Sequence, residues 1–478
     1  MKTITRFVVS AVLPSVLSLY ASALELTCAP GALSGIVAEP SAVTELVLKG
    51  QADASDLLYI GSEMPSLRRL DLSGCIVSDG IPAGAFAGTK LAAVVFPKSG
   101  RFTVGDFAFA GTRLQNVDIP ATVSALGTGA FAGCPELETA TVRGTSTEGY
   151  TFANCSALKK VTLVDIATIA DGDFADCPLL TAVEGSHSYV SIGASAFRGA
   201  VSLTTFDFGD RLRSLGASAY AGSGLTEVSL AACQSLDTVG ERAFADSRAL
   251  TSFSVSDKAR IGRGALMGCT ALEYLSMGSA NNVPDYFATG AGSLQSVELP
   301  SEAASLGRYA LKGASSLTTV TLPEGISLLN DHAMDGMTSL KSISAEDVAV
   351  VPALGEGVFE GIEQTEVLLT VGDGMVDDFS AAPVWQDFMI LGKSGVSVPD
   401  TPDTHSIRGR FNGKILEIET DGDEISCVEL FDTAGRLLMS LKPSGTTAFA
   451  DTSSSDTNLY IVRCTTASSA VAILKLAR

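Results

Sequence analysis

The sequence predicts a repeat solenoid whose coils share a parallel β-sheet, followed by a small C-terminal β-sandwich. One short motif recurs through the middle of the chain, and a strand-like pattern follows each copy. Nearer the C-terminus the pattern changes to short apolar stretches separated by turn residues. A fixed internal period is the signature of a repeat architecture, and short punctuated strands are typical of a sandwich.

The recurring motif is a glycine-spaced turn around one aromatic residue, which we call the marker. It reads GAFAG at residues 84–88 and 129–133, and SAFRG at residues 195–199. Thirteen copies give a mean spacing of about 23 residues, within the range of about 20–29 typical of leucine-rich repeats. The predicted markers are Phe86, Phe109, Phe131, Phe152, Phe174, Phe197, Tyr220, Phe244, Leu266, Phe287, Leu311, Met334 and Phe359.

A second pattern, L-x-x-V-x-L, follows each marker, as at residues 114–119 and 317–322. Its alternation of apolar and polar residues predicts a half-buried strand. A single short coil cannot bury its own apolar face, so leucine-rich-repeat-type coils are expected to stack around one core. The strands would then pair in parallel about 4.8 Å apart, and the markers would form a buried ladder.

Both ends of the predicted solenoid depart from this pattern. Residues 43–48 and 67–72 match the strand half without a good marker, which predicts two irregular N-terminal coils. Residues 367–371 look like a closing strand. Because a solenoid end needs a cap, we expect Trp385 and Phe388 to cover the last coil.

The N-terminus has the features of a signal peptide. Lys2 and Arg6 precede an apolar stretch over residues 7–19, and small residues stand at 21–23. This stretch is too short for a membrane helix, and the pattern predicts cleavage after Ala23. The chain is therefore expected to be exported, to the cell surface or the extracellular space.

The cysteines suggest buried thiols rather than a metal site. Four of them each lie three residues after a marker: Cys134, Cys155, Cys177 and Cys269. Stacked coils would bring them within possible disulfide range, but their parallel side chains favour thiols filling a small slot. Cys427 and Cys464 lie on separate predicted strands, where a disulfide is possible. Cys28, close to the predicted cleavage site, leaves lipoprotein acylation as an alternative, although no fitting acylation sequence precedes it.

Charge and motif content argue against several classes of function. The formal net charge of −21 excludes an electrostatic nucleic-acid binder. The sequence contains no G-x-S-x-G, H-E-x-x-H, P-loop or C-x-x-C motif, which predicts no enzyme, no cofactor and no metal site. His187, His332 and His405 have no motif context.

The tail is predicted to form a separate small domain. A polar linker at residues 392–406 precedes strand candidates at 414–419, 427–431, 436–441, 459–464 and 471–476. The predicted domains are a signal peptide (1–23), a solenoid with caps (24–391), the linker (392–406) and a β-sandwich (407–478).

Two resemblances extend this interpretation. The A-F-x-G-C and L-x-x-V-x-L-P units resemble the BspA-type leucine-rich repeats of surface proteins from Bacteroides-like bacteria, and A-P-x-W-x-x-F resembles that family's closing cap. Residues 413–418, 430–436 and 459–463 resemble the C-terminal sorting domains of type IX secretion cargo, although Asn458 replaces the usual glycine. A generic adhesion-type β-sandwich remains the alternative for the tail.

The resemblances imply a cell-surface adhesin with a host or bacterial protein partner, and binding of the tail by the type IX secretion machinery. A surface glycan-binding protein or a structural component of the cell envelope is the alternative. The solvent side of the predicted strands is mostly small, hydroxylic or acidic, which disfavours sugar stacking and favours a polar protein contact. The predicted binding residues are Asp118, Glu184, Asp207, Glu227, Tyr274 and Glu298.

Overall fold

The computed structural model describes residues 8–9, 23–185, 189–256, 259–278, 283–393, 407–412, 414–432, 436–453, 459–467 and 471–477. The chain divides into two compact units, Met1–Thr270 and Ala271–Arg478, here called the N-terminal and C-terminal units. Both contain parallel strands stacked coil upon coil, as a leucine-rich-repeat-type solenoid requires. Within the described residues, no helix is both long and apolar enough to cross a bilayer.

Most strands in the strand wall of the N-terminal unit are those that the L-x-x-V-x-L pattern predicts, but Val8–Val9, within the predicted signal peptide, and Ala23–Cys28 were not predicted. All of the pairings between these strands are parallel. The V and L positions point inward: Val117, Ile119 and Val161 are buried. The strands are Val8–Val9, Ala23–Cys28, Glu45–Ala52, Arg69–Val77, Ala93–Val95, Asn116–Ile119, Thr139–Arg143, Lys160–Val164, Ala182–Gly185, Glu227–Leu230 and Ser252–Val255.

A second wall of shorter parallel strands follows in each coil. Their apolar residues, such as Ile169, Leu215 and Val239, are buried against the same core. The strands are Phe102–Val104, Val123–Leu126, Ser146–Thr147, Thr168–Ile169, Ser191–Ile192, Ser214–Leu215, Thr238–Val239 and Arg260–Ile261.

The marker side chains form the predicted ladder inside the N-terminal unit. Successive rings from Phe86 to Phe244 are stacked, with centroids 5.0 to 5.6 Å apart and ring planes within 22° of parallel. Eight aromatic side chains therefore share one column, and the prediction of a buried structural ladder is confirmed.

The cysteines beside the ladder are free thiols that bond to the backbone. Cys134, Cys155 and Cys177 each donate to the carbonyl oxygen of the marker in the preceding coil, at 3.2 Å. Burial raises the pKa of Cys177 to about 12, which disfavours the reactive thiolate. These thiols thus satisfy turn carbonyls, in agreement with the small-slot interpretation.

The N-terminal coils replace the marker turn with a helix. Ala54–Glu63 is an α-helix with a capping box, because Asp53 accepts from the Asp56 backbone N–H and Asp56 accepts from the Asp53 N–H. Asp56 also accepts from the Leu33 N–H at 2.9 Å, which ties the short helix Leu33–Ile36 to it. A 3₁₀ turn spans Pro40–Ala42. The two irregular coils are confirmed, but the helix between them was not predicted.

The C-terminal unit continues the same two-wall plan with fewer aromatic residues. Its strand wall contains Tyr274–Ser276, Ser296–Glu298, Thr319–Thr321, Ser342–Ala345, Leu368–Val371 and Met389–Gly392. Its second wall contains Ser305–Leu306, Leu328–Leu329 and Ala353–Leu354. Leu368–Val371 was predicted to close the sheet, but Met389–Gly392 pairs beyond it in parallel.

One marker was assigned incorrectly from the sequence. In most coils the marker N–H donates to the carbonyl one residue before the next marker, as from Leu311 to Ala333 at 2.9 Å. Ala288 makes the equivalent bond to Ala310 at 2.8 Å, so Ala288 holds the marker position and Phe287 precedes it. The larger side chain misled the alignment of this coil.

The cap confirms a structural role for the only tryptophan. It consists of the helix Val376–Ala381 and the 3₁₀ turns Gln364–Glu366, Asp373–Met375 and Trp385–Asp387. Trp385 is buried, and its indole N–H donates to the Pro352 carbonyl at 2.9 Å. Phe359 and Phe379 make edge contacts with its ring.

The tail folds into two antiparallel sheets, consistent with a small β-sandwich. One sheet contains Ile407–Asn412, Ile415–Thr420 and Thr447–Asp451; the other contains Ile425–Phe431, Leu437–Leu441, Leu459–Thr466 and Val471–Ala477. All five predicted strands are present. The strands Ile407–Asn412 and Thr447–Asp451 were not predicted. Cys427 and Cys464 are free thiols, and most of the predicted linker lies outside the described residues.

Candidate functional site

Five of the six predicted binding residues lie in two exposed rows of the strand wall. In the N-terminal unit, Asp118 and Glu184 belong to one row and are separated by Thr141 and Thr162. Glu227 lies opposite Ser252, in the row two residues earlier in the coil. In the C-terminal unit, Tyr274 lies opposite Ser296, and Glu298 lies opposite Ser276. The strands thus present these side chains to solvent without bringing them into one pocket.

Basic side chains partly neutralise the acidic row. Arg143 forms an ion pair with Asp118, and the Lys160 Nζ lies 2.8 Å from Glu184 Oε2. The wall is therefore a mixed-charge surface at these coils, not the acidic face expected from the sequence. The difference arises from the basic residues at the strand ends, which pair with two of the predicted acids.

Asp207 marks a break in the strand wall. Residues 203–208 match the strand pattern but form no strand. Phe206 and Phe208 replace the usual aliphatic pair, and both rings pack against Tyr220. Asp207 Oδ1 accepts from the Gly209 N–H at 2.9 Å, as in a turn. A surface depression lies here, lined by Thr181, Ala182, Val183, Thr205, Phe206 and Asp207.

A second exposed column was missed in the sequence. The residue two positions before each marker, here called the outer position, has left-handed backbone in every described coil, with φ between 53° and 65°. Phe107 and Tyr150 occupy it with about half of their surface exposed, at 50% and 48%. Each ring leans over the outer glycine of the next coil, where an added Cβ would lie 2.5 Å from Phe107 or 2.4 Å from Tyr150.

In the C-terminal unit the outer position carries a stack of rings. Tyr286 and Tyr309 have centroids 5.0 Å apart, and Tyr309 and His332 have centroids 4.9 Å apart. The Lys312 ammonium lies 5.4 Å from the Tyr309 ring centroid, within the range of a cation–π contact. In the sequence, Tyr309 and His332 already stand two residues before the predicted markers Leu311 and Met334, and Tyr286 joins them once Ala288 is assigned as a marker.

His332 also belongs to a polar cluster that joins two neighbouring coils. Its Nδ1 lies 3.0 Å from Asp335 Oδ2 and 3.5 Å from Glu360 Oε2. One potential ligand atom from each of the three residues lies within 4.8 Å of the other two. Among the described residues, these three side chains are the one cluster of at least three His, Cys, Asp or Glu residues that is compact enough to hold a metal ion.

The parallel coils, the L-x-x-V-x-L strands and the buried marker ladder define a leucine-rich repeat solenoid. The sequence model of the BspA type leucine rich repeat region matches residues 79–186, 167–289 and 281–370, in six copies. These matches span more than half of the chain, which therefore belongs to the BspA-type leucine-rich repeat family. Such solenoids typically serve as non-enzymatic protein-binding scaffolds. No curated protein is significantly similar to the chain.

One solved bacterial structure shares the fold, and two others have a lower structural similarity to the chain. A leucine-rich repeat protein from Bacteroides ovatus is 22% identical, with a TM-score of 0.51 over 77% of this chain and 83% of that chain. A leucine-rich repeat protein from Eubacterium ventriosum is 17% identical, with a TM-score of 0.34 over 68% of this chain and 84% of that chain. A leucine rich cell surface protein from Faecalibacterium prausnitzii is 20% identical, with a TM-score of 0.30 over 53% and 82%.

Proposed function

We propose that this chain is an exported, cell-surface binding protein, an adhesin that contacts host or bacterial surface proteins. The depression beside Asp207 is the observation that carries the proposal. It opens in a wall of short polar side chains, and solenoids commonly bind partners on such extended faces. The exposed carboxylates of Asp207 and Glu227 would complement a partner surface with a basic patch.

The test is capture of partners from host matrix and mucin fractions by the purified chain, followed by affinity measurement. Asp207→Asn with Glu227→Gln should weaken binding, and Tyr274→Ala tests the C-terminal unit separately. The matched control is Glu148→Gln with Glu241→Gln, which removes the same charge after strands of the second wall. Equal affinities for the wild type and the Asp207 and Glu227 double variant would move the site off the strand wall.

Ionic strength gives an independent readout. Exposed charges are screened beyond about 10 Å at 0.1 M salt, so a charge-steered contact should weaken as salt rises. The affinity of the Asp207 and Glu227 double variant should depend less on salt than that of the wild type. An identical salt dependence would argue against charge complementarity at this face.

A surface glycan-binding function is the second candidate, and the exposed outer rings favour it. Phe107 and Tyr150 lie two coils apart, and the corresponding ladder steps are 5.1 and 5.5 Å, about the reach of a disaccharide. Phe107→Ala with Tyr150→Ala should abolish retention on a glycan array. Leu179→Ala, which truncates a non-aromatic side chain of 48% exposure, is the control. Retention that survives the loss of both rings would exclude this column.

The tail is proposed to direct secretion by the type IX machinery. Its last strands supply Arg463, which pairs with Glu429 at 2.6 Å and donates to the Thr365 carbonyl of the cap region at 3.3 Å. A truncation ending at Ser406 should remain in the periplasm. Arg463→Gln keeps the tail while weakening this contact, so it should still reach the surface. Surface delivery of the truncation would contradict the sorting role.

The proposed domain limits and export are tested at the N-terminus. Removal of residues 1–23 should leave a mature protein that begins at Leu24. N-terminal sequencing of the exported protein checks this, and a lipidated start at Cys28 would contradict it.

A further inference from the structure

We propose that His332, Asp335 and Glu360 form a binding site for a divalent transition-metal ion of the zinc class. His332 and Asp335 lie on the turn around marker Met334, and Glu360 lies on the turn around marker Phe359. A bound ion would therefore link two successive coils near the cap. Neither the family match nor the proposed adhesin function assigns such a site.

The separations of the donor atoms fit a shared ion. Ligands bound to zinc at about 2.0–2.2 Å in a tetrahedron lie about 3.3 Å from each other. The imidazole Nδ1 is 3.0 Å from Asp335 Oδ2 and 3.5 Å from Glu360 Oε2. Three protein ligands would leave a fourth position for water or a partner group.

The imidazole is held in place from both sides. One face stacks on Tyr309, with ring planes 9° apart. On the other side stands Gly357, where an added Cβ would lie 2.7 Å from His332 Nδ1 and 3.2 Å from Glu360 Oε2. A side chain at position 357 would collide with the donor atoms. The glycine at this position therefore leaves the space in which His332 and Glu360 approach each other. Asp335 is itself buried, with 8% of its surface exposed.

The ammonium group of Lys312 would compete with a metal ion for the Asp335 carboxylate. Its ammonium lies 2.6 Å from Asp335 Oδ2, where it supplies positive charge to the carboxylates. The side chain is 42% exposed, so it can leave towards solvent when an ion binds. Removing this competing cation should therefore strengthen metal binding, which a purely structural ion pair does not predict.

The donor set selects the metal. One imidazole and two carboxylates suit zinc and its neighbours in the first transition row. Calcium takes six to eight oxygen ligands, and magnesium demands an octahedron of oxygens, so this cluster does not suit either ion.

The experiment measures Zn²⁺ binding to the full mature chain by calorimetry, with Ca²⁺ and Mg²⁺ as comparison ions. We expect one saturable zinc site and no calcium or magnesium site at this cluster. His332→Gln should weaken zinc binding by about 10-fold or more, and Lys312→Met should strengthen it. The controls are His405→Gln and Lys341→Met, which change the same residue types elsewhere.

Cobalt(II) distinguishes this site from the cysteines. A site of nitrogen and oxygen ligands gives visible d–d bands without the thiolate-to-cobalt charge-transfer band in the near ultraviolet. Loss of those bands in His332→Gln, with circular dichroism unchanged, would support the site. Absence of saturable zinc binding, equal affinity in His332→Gln, weaker binding in Lys312→Met, or a thiolate band would overturn it.

Discussion

The two units fill the same repeat positions in opposite ways. In the N-terminal unit the aromatic side chains stack inside, from Phe86 to Phe244, and most outer positions carry small residues. In the C-terminal unit the consecutive markers Ala288, Leu311 and Met334 are non-aromatic, and rings stack outside at Tyr286, Tyr309 and His332. Both columns have steps of about 5 Å, which is the spacing of parallel strands.

The difference shows that the backbone of the coils is the same whether aromatic residues occupy the inner or the outer position. The coil spacing stacks any flat side chain that recurs at one position, whether buried or exposed. A buried column contributes packing energy, whereas an exposed column offers ring edges and polar atoms to solvent. The inner column thus serves stability, whereas the outer rings Tyr286, Tyr309 and His332 are only partly buried.

The largest expected effect is at the inner ladder. Phe131→Ala should lower the free energy of unfolding by about 3–5 kcal/mol, because it leaves a cavity between two stacked rings. Denaturant unfolding measures the change. Phe107→Ala in the preceding coil is the control and should cost less than about 1 kcal/mol, since half of its ring is already exposed. A cost below about 1 kcal/mol for Phe131→Ala would contradict the ladder's role.

Extending the aromatic ladder into the C-terminal unit should fail. Met334→Phe should destabilise by about 1–3 kcal/mol, because a rigid ring is forced beside Leu311 into a slot packed for a flexible side chain. Met334→Leu, which preserves the volume more closely, is the control. Thermal unfolding of both variants measures the difference, and stabilisation by Met334→Phe would show that the slots of the two units are interchangeable.

Replacing two glycines with left-handed backbone can distinguish the cost of backbone strain from the cost of displacing an aromatic ring. Gly133→Ala has open space around the new methyl group and should cost about 1–2 kcal/mol from its positive φ alone. Gly172→Ala has a similar φ but would place its methyl group 2.4 Å from the Tyr150 ring, so it should cost more. Equal costs in chemical denaturation would mean that the Tyr150 ring moves away freely.

The smallest effect is expected on the strand wall. Glu184→Gln removes the ion pair with Lys160, in which both side chains are about half exposed. Exposed pairs contribute about 0–1 kcal/mol, so the unfolding midpoint should barely move. Thr162→Ser, in the same row, is the control. A loss well above 1 kcal/mol would show that this wall stabilises the solenoid and is not free for binding.

Much of the fold could be predicted because it depends on local periodicity. The markers, the strand wall, the irregular N-terminal coils and the role of Trp385 all follow from side-chain size and alternation along the chain. The errors occurred where size misled the alignment, as at Phe287 and Ala288. The helix Ala54–Glu63 was missed because only the apolar strand halves of those coils were compared.

By itself the sequence determined the period, the residues that face the core and the family to which the coils belong. Only the tertiary structure decided which side chains from neighbouring coils meet. Asp118 pairs with Arg143, and His332 meets Glu360, each across one coil. A period shows that two positions share a face, but whether their atoms touch depends on register, rotamer and the space left by residues such as Gly357. These are properties of the packed coils, because the partners are distant along the chain and adjacent only in space.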